Sequence, residues 1–320
     1  MRLSIIIPMF NSQKTIRRAI KSCLVGDSSN IEIILVDDGS TDSTVKVVKE
    51  TFKKEIDSGI IKIINSDHGG AGNARNIGIQ ISVGKWIIFL DSDDEFVNFD
   101  YIKADVAQVD ESITILNYTS NPVRNRKQVV YGRDYIFDNL GLSNDTKKNW
   151  DSGPVFKCYR RKFLIKNKIN FPLDIKIGED LIFNLQCLLL NSKILTKKRY
   201  MYRIHEEKDS ITHKIISKYI ISDAVNLVQR VLQFNIKNKL KQEFIAKNFI
   251  AVLIRFLKSK ADIAVIINSL IKYKRILPLK KSFMSFLELY NSLNIYKVLI
   301  AWIIWIDPNI LRVILYKTKR

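Results

Sequence analysis

The chain has 320 residues, 47 % of them hydrophobic and 26 % charged, which excludes a disordered segment and leaves room for one large domain with an appendage. Its three cysteines, Cys23, Cys158 and Cys187, stand far apart without C-x-x-C spacing, which excludes a disulfide framework or cysteine metal cluster and points to a reducing compartment. The net charge of +20 is uneven: residues 1–110 hold 13 Lys and Arg against 16 Asp and Glu, and residues 211–320 hold 20 against 5. Such a basic end asks for an anionic partner, nucleic acid or an anionic membrane surface, unless it is only a solvated helical face.

The first residues run directly into a strand-like stretch, with no signal-peptide core or cleavage site. Strand and helix patterns then alternate: Leu3–Pro8 (strand), Thr15–Leu24 (helix), Ile31–Val36 (strand), Ser43–Ile56 (helix), Ile60–Ile64 (strand), Ala71–Ile81 (helix) and Trp86–Leu90 (strand). Helices between apolar strands predict parallel strands joined by right-handed crossovers, an α/β doubly wound, mostly parallel sheet of the nucleotide-binding kind. From Asp100 to Trp150 the pattern degrades into short strands and polar loops. It resumes with Pro154–Tyr159 (strand), Arg160–Lys166 and Glu179–Leu190 (helices) and Lys198–Ile204 (strand). Beyond His213 the chain reads as helical, and the domain boundary falls near residue 211.

The fourth strand runs without a break into Asp91-Ser92-Asp93-Asp94-Glu95. Carboxylates crowded at a strand mouth repel one another unless a cation sits among them. If the chain stays extended, Asp91 and Asp93 share a side, about 6–7 Å apart, and hard oxygens so placed suit Mg or Mn holding a phosphate. The first strand is expected to stop at Pro8, displaying Phe10 and Asn11 at the mouth, where a flat base can stack. Asp38, after the second strand, is free to accept a hydrogen bond from a base or ribose. The segment His68–Asn76 opens a helix with glycines, including Gly70, that permit close backbone approach, and its N-terminus favours phosphate. Arg75 stands where a dinucleotide fingerprint has its third glycine.

Taken in order, Ser4–Asn11, Glu32–Thr44, His68–Gly78 and Gly84–Asp94 resemble the motifs "SIIIPxYN", "EIIxVDDGSTDxT", "NxGxxxARNxG" and "GxxIxFLDSDD" of the family-2 glycosyltransferases with the GT-A fold, Phe10 replacing a tyrosine. Lys157–Arg161 with Ile177–Phe183, and Tyr200–His205 with Ser210–Thr212, are similar to that family's later segments. The resemblance implies a Rossmann-like nucleotide-sugar half (1–100), an acceptor half (101–210) and a basic helical region (211–320). It nominates Asp180 as catalytic base with Glu179 beside it. Asp93 is the chief metal ligand, with Asp91 and His205, for Mn or Mg. Donor contacts fall to Pro8, Phe10, Asn11, Asp38, Gly70, Arg75, Asp91, Ser92, Lys157 and Arg203, with the base near Phe10, Asp38 and Arg75.

The implied activity is inverting transfer of one sugar from a nucleoside diphosphate sugar, UDP-linked, to a glycan or lipid-linked glycan in bacterial cell-surface polysaccharide (capsule) synthesis. No Q-x-x-R-W sequence is present, which argues against a processive polymer synthase. A metal-dependent nucleotidyltransferase is the rival, weakened because Met9–Lys14 contains no glycine. A nucleic-acid module ranks last, since the acids would repel phosphates. No apolar run reaches the ~18 residues that span a bilayer. Val298–Ile306, with Trp302 and Trp305, and the basic end Lys317–Arg320 are expected to lie in a membrane interface, with a packed helix or a dimer contact as alternatives. The expected location is cytoplasmic, peripheral on the inner face of the membrane.

Overall fold

The computed structural model describes residues 3–119, 129–140, 142, 153–190, 192–205 and 220–258, with isolated positions at 267–268, 271, 275, 303–305 and 307–308. Two compact units are present: Met1–Asn139 with Lys147–Leu173 and Glu179–Lys208, and Leu140–Thr146 with Asp174–Gly178 and Asp209–Arg320.

The first unit is built on β1 (Leu3–Met9), β2 (Ile31–Asp37), β3 (Ile61–Asn65) and β4 (Trp86–Phe89), with α1 (Ile16–Cys23), α2 (Thr44–Thr51), α3 (Lys53–Asp57) and α4 (Ala71–Ile81) between them. These four strands are mutually parallel in the order β3-β2-β1-β4. Every residue of β1, β2 and β4 is buried, which is why they read as apolar runs rather than alternating ones. β5 (Glu95–Phe96) and α5 (Phe99–Gln108) follow, then β6 (Ile115–Thr119), β7 (Val129–Tyr131), α6 (Ile136–Asn139), β8 (Lys157–Arg160), α7 (Arg161–Lys166), α8 (Glu179–Leu189), β9 (Lys193–Lys198) and β10 (Tyr202–Arg203). The sheet continues β4-β8-β6-β9-β7, with β8 antiparallel to both its neighbours and β6 parallel to β9. β10 pairs antiparallel with β5 in a separate ribbon.

Pro8 does not end its strand, as the sequence reading expected. Ile6 O accepts from Leu90 N–H on the β4 side, and Met9 O accepts from Asp38 N–H on the β2 side. Alternation therefore turns the missing Pro8 N–H toward β4, where the ladder is finishing, so only that side is lost. The helix expected over Ser43–Ile56 breaks at Phe52, whose buried ring takes its backbone out of helical geometry (φ −119°, ψ 33°). The expected strand Lys198–Ile204 is two strands, β9 and β10, and the first begins at Lys193. Helix α4 lies close on β1 because Gly78 has no side chain: a Cβ there would fall 2.4 Å from Ile6 Cγ2.

In the second unit, helices Ile220–Gln233 and Asn238–Lys258 are described. Arg230 Nη2 pairs with Asp174 Oδ1 at 3.0 Å. Trp305 is 1 % exposed and meets the Phe249 ring edge-on, centroids 4.8 Å apart. That corrects the interfacial expectation at Trp305, where apolar packing wins; Trp302 and the basic end lie outside the described residues. No described helix is long and apolar enough to cross a membrane.

Candidate active site

The C-terminal ends of β1, β2 and β4 form the mouth of the sheet. Asn11, in the left-handed region at φ 48°, turns the chain after β1. Its N–H donates to Ser40 Oγ at 3.0 Å, and its Oδ1 accepts from the Thr41 N–H at 2.8 Å and the Asp42 N–H at 3.3 Å. Asn11 therefore shapes the loop after β2 while staying exposed at the mouth.

Asp38 is not free either. It is 3 % exposed, and its two oxygens accept the N–H groups of Gly69 and Gly70 at 2.8 and 2.9 Å. The carboxylate pins the glycine segment at the start of α4, where Gly70 needs its positive φ of 88°. His68 Nδ1 lies 2.9 Å from Asp38 Oδ2, and the His68 ring faces Phe10 with centroids 4.5 Å apart. This partly exposed aromatic pair is the flat surface of the mouth.

The acids after β4 do not continue as extended chain. Asp94 N–H donates to Asp91 O at 3.1 Å, closing a turn with Ser92 and Asp93 at its centre. The alternation that would set Asp91 and Asp93 side by side therefore does not apply. Arg18, which no motif singled out, donates to the Asp93 carbonyl and anchors the turn on α1. Tyr202 Oη accepts from the Asp91 N–H at 3.2 Å and donates to Asp94 Oδ2 at 2.8 Å. Asp94 Oδ1 takes the His205 N–H at 2.9 Å. Burial pushes the Asp94 carboxyl above its ordinary value, outweighing those two hydrogen bonds. Glu95 goes the other way: burial would raise it, but contacts with His205 and Arg203 hold it below the usual range. Arg203 Nη1 donates to Glu95 Oε1 at 2.5 Å.

Arg75 is the centre of the site. It projects from α4, is 5 % exposed, and lies with Nη2 2.9 Å from Asp91 Oδ1 and Nη1 3.0 Å from Asp180 Oδ1. Glu179 Oε1 is 3.7 Å from Nη1. Burial would weaken its hold on the proton, but Asp180, Asp91 and Glu179 together drive its pKa above even the ordinary guanidinium range. Arg75, expected beside the nucleotide base, is paired with three carboxylates. Asn76 fixes the approach of the two segments, donating from Nδ2 to Phe171 O at 2.9 Å and accepting the Phe171 N–H on Oδ1 at 2.8 Å. Glu179 and Asp180 form the first turn of α8, where the helix dipole favours negative charge.

Lys157 is fully buried within β8, and its Nζ donates to Gly153 O at 2.6 Å, so it offers no cation to a ligand. Ser210–Thr212 and His213 lie outside the described residues.

No three His, Cys, Asp or Glu side chains among the described residues converge as a protein-only metal cage. The donors present nevertheless suit a hard divalent cation completed by phosphate oxygens. Asp93 and Asp91 stand at the turn, and His205 Nε2 is buried without a hydrogen bond although Glu95 Oε1 is 3.3 Å away.

A half-parallel sheet with an acidic turn after its fourth strand and a second carboxylate pair on a later helix defines a GT-A-type nucleotide-sugar fold. The chain belongs to glycosyl transferase family 2, whose model matches residues 4–171. It is similar to the poly(ribitol-phosphate) β-N-acetylglucosaminyltransferase TarS of Staphylococcus aureus, 26 % identical over 78 % of this chain and 44 % of that protein. It is also similar to the minor teichoic acid biosynthesis protein GgaA of Bacillus subtilis, 33 % identical over 66 % of this chain and 49 % of that protein. The chain thus spans about half, or less, of the length of these relatives. Among solved structures, S. aureus TarS 1–349 in complex with UDP-GlcNAc matches with a TM-score of 0.63 at 22 % identity, covering 94 % of this chain and 89 % of that one. That likeness establishes the GT-A fold.

Proposed function

We propose that the chain transfers a single sugar from a UDP-sugar to an acceptor hydroxyl with inversion, using Mn or Mg. The observation that carries this reading is the Arg75 bridge, which ties Asp91 of the diphosphate turn to Asp180 of α8. A sugar hydroxyl is a weak nucleophile, and a carboxylate in reach of it can take its proton as attack proceeds. Asp180 has that role, with Glu179 beside it. The Phe10–His68 surface receives the uracil ring, and the Gly69–Gly70 segment lies along the donor. Asp93, with Asp91 and His205, would hold the cation, which when bound would offset charge on the departing diphosphate. Arg203, half-exposed beside Glu95, is a further cation near that charge.

The relatives' names, a poly(ribitol-phosphate) transferase and a teichoic acid biosynthesis protein, support a surface polymer as acceptor, and the reading extends to its lipid-linked precursor. The 20 Lys and Arg after residue 210 support peripheral attachment to the anionic inner face of the membrane, and a functional boundary near residue 211.

Asp180→Asn keeps the shape but cannot take a proton. Calorimetry should show UDP binding retained while transfer, followed by UDP release with acceptor present, falls about 10²–10⁴-fold; near-wild-type transfer would remove Asp180 from the role. UDP affinity should also fall on adding EDTA, and an affinity indifferent to EDTA would remove the cation.

A further inference from the structure

The Lys157–Arg161 stretch is not used by the site above, and its last two residues face the opposite end of the sheet. β4 and β8 pair antiparallel with Trp86 opposite Arg160, about 16 Å along the strand from Asp91 by the usual rise per residue. There the first unit carries a depression of about 610 Å³ whose charged lining is Lys85, Arg160, Arg161, Lys162 and Lys166 against one acid, Glu111. Described residues give Arg161, Lys162 and Lys166 no acidic partner.

Arg160 is the built part. It is 6 % exposed, and its guanidinium lies over the Trp86 ring at 4.3 Å. Nε donates to Ile113 O and Nη2 to Asp110 O, both at 2.9 Å. Nη1 is buried and completes no hydrogen bond. Its nearest carboxylate oxygen is Glu111 Oε2, 3.3 Å away. The Glu111 side chain is 77 % exposed, and its other oxygen pairs with Lys85 Nζ. A flexible carboxylate therefore sits between two cations, one of them rigid and short of an acceptor. Phosphate oxygens meet a guanidinium and neighbouring ammonium groups with stronger, charge-assisted hydrogen bonds than one exposed carboxylate supplies.

We propose that this depression is an anion site taking the phosphate of a small organic phosphate monoester, with the Glu111 carboxylate as the built-in occupant that it displaces. Its volume exceeds that of a phosphate alone, so the group bearing the phosphate enters with it. A concave floor with a fixed guanidinium suits a ligand that reaches in, rather than a flat bilayer face.

The test titrates the full chain with sn-glycerol 3-phosphate and inorganic phosphate at low salt, by calorimetry, alongside phosphatidylglycerol vesicles. Glu111→Gln removes the competitor and should tighten glycerol 3-phosphate binding about two- to fivefold, the worth of an exposed ion pair. The double variant Lys162→Glu/Lys166→Glu should weaken it about tenfold or more. All three side chains are exposed, so the fold stands in each variant, and melting curves check that. A Glu111→Gln protein with unchanged or weaker affinity overturns the proposal, as does a double variant that binds like wild type. Binding to vesicles but not to the soluble phosphates also overturns it, in favour of a lipid surface.

Discussion

Replacing Arg75 by methionine keeps an unbranched apolar side chain on α4 but removes the guanidinium that lies over Phe171 and between Asp91, Glu179 and Asp180. Three carboxylates then face a largely buried gap with no cation. Removing one partner of a buried ion pair costs about 3–5 kcal/mol. Here Asp91 and Asp180 have side chains 36 % and 30 % exposed, so water relieves part of the penalty and the lower end, about 3 kcal/mol, is expected. For a unit of this size each kcal/mol moves the midpoint by about 2–4 °C, which gives a fall of about 6–12 °C at pH 7.5. Lysine restores the charge on one nitrogen, which cannot stand at both the Nη1 and Nη2 positions, so Arg75→Lys should recover only part of that fall. Circular dichroism melts of the three proteins decide the matter. A methionine variant melting within about 2 °C of wild type would refute the view that Arg75 holds the acids together.

Two further outcomes follow from buried acids. Glu32 is fully buried and accepts from Ser4 Oγ, Val83 N–H, Gly84 N–H and Lys62 Nζ at 2.7, 2.7, 3.0 and 2.9 Å. Burial raises its pKa, but those hydrogen bonds outweigh burial and hold it below the ordinary 4.5. Its contribution is therefore full above that value and is lost as pH falls through the lower folded value. Glu32→Gln should cost about 1.5–3 kcal/mol at pH 7, and its stability should fall less steeply below pH 4.5 in urea titrations; parallel acid limbs would contradict this. Tyr202→Phe removes one hydrogen-bonding partner each from the Asp91 N–H and Asp94 Oδ2. It should destabilise the protein by about 1–3 kcal/mol and weaken UDP binding in Mn, and calorimetry finding unchanged UDP affinity would separate Tyr202 from the site.

The first half of the fold was legible because parallel strands covered on both faces leave continuous apolar runs, and β1, β2 and β4 are such strands. Helix α5 was not. Its buried stripe of Phe99, Ile102 and Val106 is interrupted by Asp105, which is 6 % exposed and paired with Lys197 at 2.7 Å and Arg199 at 3.1 Å. A charge on the buried face hides the helical period, and its partners on and just after β9 lie more than ninety residues away. β9 was placed too late for the complementary reason: the strand was expected from Lys198, although Lys193–Lys198 forms it and Lys197 pairs with that aspartate.

The site divides along the same line. Motif order located the acids, but their roles depend on contacts that no local pattern carries. Asp38 read as a free acceptor because the glycines that consume it come thirty residues later. The pairing of Arg75 was not legible because its partner Asp180 is 105 positions away. Both contacts join residues far apart in sequence. The negative charge of the mouth is not left waiting for a ligand: Asp38 is spent on backbone N–H groups, Asp94 on Tyr202 and His205, Glu95 on Arg203, and Asp91 and Asp180 on one guanidinium. Asp93 lies at the centre of the turn that the Asp94 N–H closes on the Asp91 carbonyl, with its own carbonyl held by Arg18. On the proposed reading, a diphosphate-bound cation at this turn would have to compete with Arg75 for Asp91.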